Sequence, residues 1–326
     1  MRTGFKVTAA AAAMAMLAAC GSSDEGGSGG GSAAGADGGE LTPVTVNIVP
    51  FSPNAVLFLA MEKGMFEEQG LEVNLVEAAS PIPVVASLVA GQAQFGFVTT
   101  PVLINSNREG TPLQCVAPID GQVSPERDAS ALVAAKDSGI DSLEDLSDKT
   151  VAVVQLASIN LIGARKLIED AGATGTEFIA MPFPQMPQAL ADGRVDAAVI
   201  TSPYVEQALD AGAVELAHPS SDLFPEGTIY CYAASNSYIE ENPEVAEGFQ
   251  AAMEEAITYA GEHEDEAKAT LVEHLDLTEE QAQAQVIPTN YVPEINVDSI
   301  GEIQDLMLEQ GSIDDTVDPA DLVWQP

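Results

Sequence analysis

The stretch GQAQFGFVTTPV, residues 91–102, is matched without a gap by GRVDAAVITSPY, residues 193–204. The leading glycine, the first threonine and the proline are identical, and the run between them is largely apolar in both. Each copy reads as a turn glycine, a short buried strand and a helix opened by proline in its first turn. A strand that hands directly to a helix is the repeating unit of α/β folds. The same alternation continues outward from both copies. Strand-like runs are VTVNIV, LEVNLVE, FGFVT, PLQCVAP and SALVAAK, followed by TVAVVQL, TEFIAM, VDAAVI, VELA and TIYCYAA. Helical patterns fill the intervals. Ser80–Pro81 opens one that ends at Gly91, Ser158 opens another that ends at Gly172, and Ser142 with Asp145 and Thr278 with Gln281 form capping-box patterns. The expected fold class is α/β, with mainly parallel sheets flanked by helices, and the duplication divides it into two lobes.

In open α/β sheets, ligands sit beyond the carboxyl ends of strands, where helix N-termini point. Four joints of this chain carry small polar residues at such ends. They are Ser52 and Asn54 in FSPNAV, Thr99 and Thr100 in the first copy, Ser158 and Asn160 in LASINL, and Thr201, Ser202 and Tyr204 in the second. Phe51 and Tyr204 are placed to cover an apolar or planar ligand face, and Gln122 is a further candidate contact. Each residue also has a purely structural reading. Ser52 and Ser158 fit as N-caps, Asn54 and Asn160 as first-turn residues, and Thr99 to Ser202 as strand-end packing.

The amino terminus has a different grammar. Arg2 and Lys6 precede VTAAAAAMAMLA, an apolar run too short to span a bilayer, which ends in LAAC at Cys20. This resembles the lipobox of bacterial lipoproteins, so residues 1–20 are expected to be a signal peptide with Cys20 lipidated. Residues 21–40, GSSDEGGSGGGSAAGADGGE, read as a flexible Gly/Ser tether. The GGSGG inside it matches a hydrolase pattern around Ser28, but no strand precedes it and no helix follows. The full chain of 326 residues holds 11 Lys and Arg against 51 Asp and Glu, a net charge of −40. So acidic a surface repels nucleic acid and anionic lipid. Cys115 and Cys231 are open to two readings, a disulfide in an oxidising compartment or two buried thiols.

Five stretches carry a more specific likeness: LFLAMEKGMFEEQGLEVNLVEA, VASLVAGQAQFGFVTTP, SLEDLSDKTVAVVQ, QALADGRVDAAVITSPY and SYIEENPEVAEGF. They resemble the solute-binding proteins of the nitrate/sulfonate/taurine class, whose superfamily includes thiamine-pyrimidine binding proteins. The resemblance implies a type II periplasmic-binding-protein fold. One lobe would take residues 41–133 and 229–326, and the other 134–228. SALVAAKDSG and TIYCYAASN would be the crossing strands, and the second would lie beside PLQCVAP, bringing Cys115 near Cys231. It also implies an ABC permease with its ATPase as partner, hinge closure on a small molecule, a monomer, and no cofactor or metal. The membrane would be touched through the lipid anchor alone, on the extracytoplasmic face of the cell membrane. Sulfonate, nitrate and a neutral or cationic planar heterocycle all remain open as ligands, with Arg108 the basic residue best placed to reach a cleft.

An enzyme on the same fold is the principal alternative, since fold does not fix function. His218, His263 and His274 lie away from the strand ends, and neither H-E-x-x-H nor C-x-x-C occurs. A ligand-sensing module for a signalling receptor is the other alternative.

Overall fold

The computed structural model describes residues 40–119, 128–156, 158–225, 227–287 and 293–326. Cys20, the signal-like segment, residues 21–39 of the tether and Gln122 lie outside the described residues. Two five-stranded sheets organise the chain. The first contains β1 (Thr42–Ile48), β2 (Leu71–Glu77), β3 (Phe95–Thr99), β4 (Leu113–Pro118) and β10 (Tyr230–Ser235), in the order β2-β1-β3-β10-β4. The second contains β5 (Ser130–Ala134), β6 (Thr150–Val153), β7 (Glu177–Ala180), β8 (Ala197–Thr201) and β9 (Val214–Ala217), in the order β7-β6-β8-β5-β9. The orders correspond strand for strand. In each sheet three strands run parallel, and a fourth, β10 or β5, is inserted antiparallel beside β3 or β8. The architecture is a two-lobed α/β fold.

Local chemistry explains where the elements start and stop. Of the first sheet's helices, α1 (Ala55–Glu62) and α2 (Met65–Glu68) join β1 to β2, α3 (Pro81–Val89) joins β2 to β3, and α4 (Thr100–Arg108) joins β3 to β4. Proline stands in the first turn of α3 and of α4, where its missing N–H costs nothing. In the second lobe α5 (Ile159–Asp170), α6 (Met186–Ala191) and α7 (Tyr204–Asp210) play the same parts. The Ser142–Asp145 capping box is present but starts a short 3-10 turn, Leu143–Leu146, rather than a longer helix. After β10 the chain is helical: α8 (Asn236–Glu241), α9 (Pro243–Glu262), α10 (Glu264–His274), α11 (Glu279–Ala284) and α12 (Val297–Glu309). The Thr278–Gln281 capping box opens α11. Among the described residues no helix is long and apolar enough to cross a membrane.

The two sheets bury their faces differently. The β5 residues Ala131 and Val133 belong to one apolar cluster and Leu132 and Ala134 to another, so alternate side chains serve opposite faces. The first sheet's core is larger and draws in α9, with Phe95 stacked on Phe249 at 3.9 Å between ring centres. It also takes Ile159 and Ile162 from α5 of the other lobe.

Three expectations change. β5 and β10 each lie wholly within one sheet, so neither is a crossing strand, and the chain passes between lobes after β4 and after β9. Cys115 and Cys231 do occupy adjacent strands, but Ala233 stands opposite Cys115 and Pro118 opposite Cys231. Both are buried thiols outside any disulfide. Arg108 does not reach the cleft. At the last turn of α4 it pairs with Asp314 and Asp315 beyond α12.

Candidate functional site

The two sheets present their strand ends to each other. β1 ends at Ile48, and Ser52–Asn54 forms a 3-10 turn leading straight into α1. Ser52 is therefore not an N-cap. Its N–H donates to the Ser202 carbonyl of the other lobe at 3.2 Å, and its hydroxyl donates to Gln285 Oε1 at 2.8 Å. Ser158 does cap α5, accepting from Leu161 N–H at 3.2 Å while its hydroxyl donates to the Gln155 carbonyl at 2.8 Å. The likeness of SPN to SIN is thus a likeness of position and not of bonding.

Asn54 is wholly buried and committed to the fold. Its amide donates to the Val49 carbonyl at 2.7 Å, and its carbonyl accepts from the Tyr232 hydroxyl at 2.8 Å. Complete burial raises the Tyr232 phenol well above its usual range, so that hydroxyl remains a donor. Thr100 is likewise spent, donating to the Thr228 carbonyl at 2.7 Å. The Ser202 hydroxyl donates to the Glu206 carboxylate, whose pKa burial raises against the opposing pull of that bond.

A narrow cavity of about 20 Å³, room for about one water molecule, lies between the lobes. From the candidate set it is lined by Phe51, Thr99, Ser158, Asn160 and Thr201. Ser52, Asn54, Thr100 and Ser202 are not on its wall, and Tyr204 lies at a separate opening beside Glu77 and Pro182. Phe97, Tyr230, Phe183 and Pro81 are wall residues outside the candidate set. Phe51, Phe97 and Tyr230 form a cluster with ring centres 4.8, 5.5 and 5.7 Å apart. Phe183 faces them from the second lobe, stacked on Tyr204 at 6.5 Å. Phe97 could have been found by strand alternation, since it shares a face with Thr99 two residues on. Tyr230 could not, because it reaches the site by pairing opposite Thr99 in an antiparallel strand from far along the chain.

The cavity's polar groups differ in availability. Thr201 donates to the Ala129 carbonyl at 3.0 Å, and Asn160 Oδ1 accepts from the Tyr230 hydroxyl across the lobes at 3.5 Å. Thr99 Oγ1 is buried with no hydrogen-bond partner among the described residues. No Lys, Arg, Asp, Glu or His among the described residues lines the cavity. Among the described residues no cluster of His, Cys, Asp and Glu could hold a metal ion.

Behind the cavity, the crossing segments are tied to the second lobe. Asp128 accepts from Ser130 N–H at 2.8 Å and from Ser221 N–H at 3.1 Å, so one carboxylate binds both crossings. His218 Nδ1 lies 2.8 Å from the Ser130 carbonyl, completing a reciprocal clasp. Burial raises the Asp128 pKa. For His218 burial opposes the charge, but the Ser130 carbonyl and the Asp128 and Glu215 carboxylates outweigh it and raise the pKa.

Residues 53–267 match the family model described as NMT1/THI5 like. The chain belongs to this family. A Brucella abortus protein named as a binding protein is 25% identical over 299 residues, covering 86% of this chain and 89% of the relative. The formylaminopyrimidine-binding protein of Halalkalibacterium halodurans is 25% identical over 231 residues, 69% of this chain and 68% of the relative. Among solved structures, the ligand-binding component of an ABC-type import system from Staphylococcus aureus superposes with a TM-score of 0.75 at 14% identity. It covers 87% of this chain and 97% of that one. The alkanesulfonate-binding protein of Xanthomonas axonopodis pv. citri, bound to MOPS, gives 0.73 at 19% identity, covering 88% and 100%. The fold of this NMT1/THI5-like chain is that of the periplasmic binding proteins.

Proposed function

We propose that this NMT1/THI5-like protein is the extracytoplasmic solute-binding component of an ABC importer, and that its ligand is a small, flat, uncharged organic molecule. One observation carries the reading. The cavity between the lobes is walled by four aromatic rings, with a buried hydroxyl at Thr99 and an amide at Asn160, and no charged side chain among the described residues faces it. A sulfonate or nitrate would meet no cation there, whereas a planar heterocycle would find faces to stack on and one unspent donor-acceptor. The relative named for formylaminopyrimidine agrees with this choice better than the structure named for alkanesulfonate. The cavity as it stands holds no more than about one water, so the lobes must part to admit such a ligand and then close on it. A permease would recognise the closed pair, and differential affinity for the closed form supplies the driving force. The LAAC motif at Cys20 and the tether after it support an anchored, extracytoplasmic protein.

A catalytic reading has one specific observation in its favour. The yeast 4-amino-5-hydroxymethyl-2-methylpyrimidine phosphate synthase is 21% identical over 228 residues. Against it, the described residues of the cavity wall offer no carboxylate, imidazole, thiol or amine to move a proton or attack a carbon. Binding without chemistry is the better reading.

The test is a thermal-shift series on the full chain with formylaminopyrimidine and related neutral pyrimidines beside alkanesulfonates and nitrate. A ligand at a hundred times its dissociation constant adds about 2.7 kcal/mol of stability. Stabilisation by the pyrimidines alone is expected. Stabilisation by alkanesulfonate or nitrate alone would refute the ligand class, and turnover of a stabilising pyrimidine would refute the non-catalytic reading.

A further inference from the structure

A second concavity lies on another part of the surface and has no share in the cavity described above. It is a groove of about 620 Å³ whose walls come from both lobes. Leu156 ahead of α5, Arg165 and Glu169 of α5, and Phe178 of β7 form one side, while Asn105 of α4, Met307 of α12 and Ser312 beyond it form the other. The two sides are joined beside it by a hydrogen bond from Gln310 Nε2 to the Ile162 carbonyl, 2.9 Å.

Arg165 is the unusual member. In a chain with 51 carboxylates and 11 basic side chains, an arginine has acidic partners in abundance. Arg165 nevertheless forms no ion pair among the described residues, and its guanidinium lies over the Phe178 ring at 5.6 Å. Glu169, one turn further along α5, shares the groove without bridging to it. Lys166 and Asp170, at the same spacing on the same helix, do pair at 2.5 Å. The flat face of the guanidinium is therefore supported by an aromatic ring while its N–H edge is left for another anion. Next to it the wall is apolar: Leu156 is 59% exposed, and Leu161, Ile162, Ile168 and Met307 continue the surface.

We propose that this groove is a second ligand site, and that it takes an organic monocarboxylate with an apolar tail, its carboxylate on Arg165 and its tail along Leu156 and Met307. Because the walls belong to different sheets, occupancy favours the closed arrangement of the lobes. On the solute-binding reading above, it would tighten capture in the first cavity, and the solute would tighten carboxylate binding by the same factor.

The experiment is calorimetric titration of the full chain with octanoate, octanamide and octylamine, with no solute for the first cavity present, so its outcome is independent of what that cavity binds. Octanoate is expected to bind with one-to-one stoichiometry, and the amide and amine at least tenfold more weakly. Arg165→Gln should weaken octanoate at least tenfold with an unchanged melting temperature. Leu156→Asp, at an exposed wall position that the fold does not need, should weaken it at least fivefold by repulsion. Arg194→Gln, an exposed arginine of the second lobe on the wall of neither cavity, should leave it unchanged. Absence of octanoate binding at millimolar concentration overturns the proposal. So does equal binding by Arg165→Gln or Leu156→Asp, or loss of binding in Arg194→Gln.

Discussion

Replacing Asn54 by alanine separates a structural polar network from a ligand contact. Asn54 stands at the mouth of a strand-to-helix joint, yet both ends of its amide are spent inside the protein, on the Val49 carbonyl at 2.7 Å and the Tyr232 hydroxyl at 2.8 Å. All three residues are buried. The substitution leaves two buried polar groups without partners. At about 1–3 kcal/mol each, the loss is about 2–6 kcal/mol, to which the vacated volume adds a little. For a unit of this size that lowers the melting temperature by about 5–20 °C. Tyr232→Phe orphans the Asn54 carbonyl alone and should cost about 1–3 kcal/mol. The double variant should cost less than the sum of the two, with a coupling of about 1–2 kcal/mol. Denaturant melts of the four proteins give these values directly. Solute affinity, measured well below the melting range, should change less than threefold. A melting temperature within a degree of the parent together with lost solute binding would show that the Asn54 amide faces the ligand and that the network reasoning is wrong.

Other variants probe separate features. Thr99→Val removes a buried hydroxyl that has no partner among the described residues, so stability should hold or rise while solute affinity falls about tenfold, read by melting and by titration. Gly163→Ala places a methyl 2.6 Å from the Pro219 backbone carbonyl, forcing α5 off the second crossing segment. A loss of about 1–3 kcal/mol is expected, and an unchanged melting temperature would contradict the packing. His218 has its pKa raised in the folded protein, so its contribution is fully present below pH 6.5 and is lost as pH rises through the higher folded value. Melting temperature should therefore fall above pH 6.5 in the parent and fall less in His218→Gln. A profile steeper in the variant would reverse the sign. Arg108→Ala should cost no more than about 1 kcal/mol, because its partners Asp314 and Asp315 are largely exposed, and the loss should shrink in salt.

Much of this architecture is legible in local chemistry. Thr-Pro and Ser-Pro after apolar runs mark strand-to-helix joints because proline suits a first helical turn, and the serine before INL caps a helix as its position predicts. The repeated segment places Thr99 and Thr201 at matching strand ends, and both reach the cavity wall. What local chemistry cannot resolve is how each polar group is spent. Ser52 and Asn54 look available in the sequence, but Gln285 and Tyr232, each more than a hundred residues away, consume them. The aromatic wall is hidden for a similar reason. Tyr230 joins it through a non-local strand pairing, and Phe183 through the 3-10 turn Phe183–Gln185, whose proline-rich sequence gives no local sign of a site.

The strand orders also bear on how the protein assembles as it emerges. All five strands of the second sheet come from one continuous stretch, Ser130 to Ala217. In the first sheet β3 and β4 are not neighbours; the slot between them waits for β10, more than a hundred residues later. A chain delivered amino terminus first must therefore hold an unfinished sheet, with two unpaired inner edges, until the second lobe has passed. The lobe made first is completed last. Long-range closure of this kind slows folding, and the interval exposes β3 and β4 to chaperones, proteases and stray strands. A chain stopped before Tyr230 should contain one protease-resistant sheet and one that is degraded.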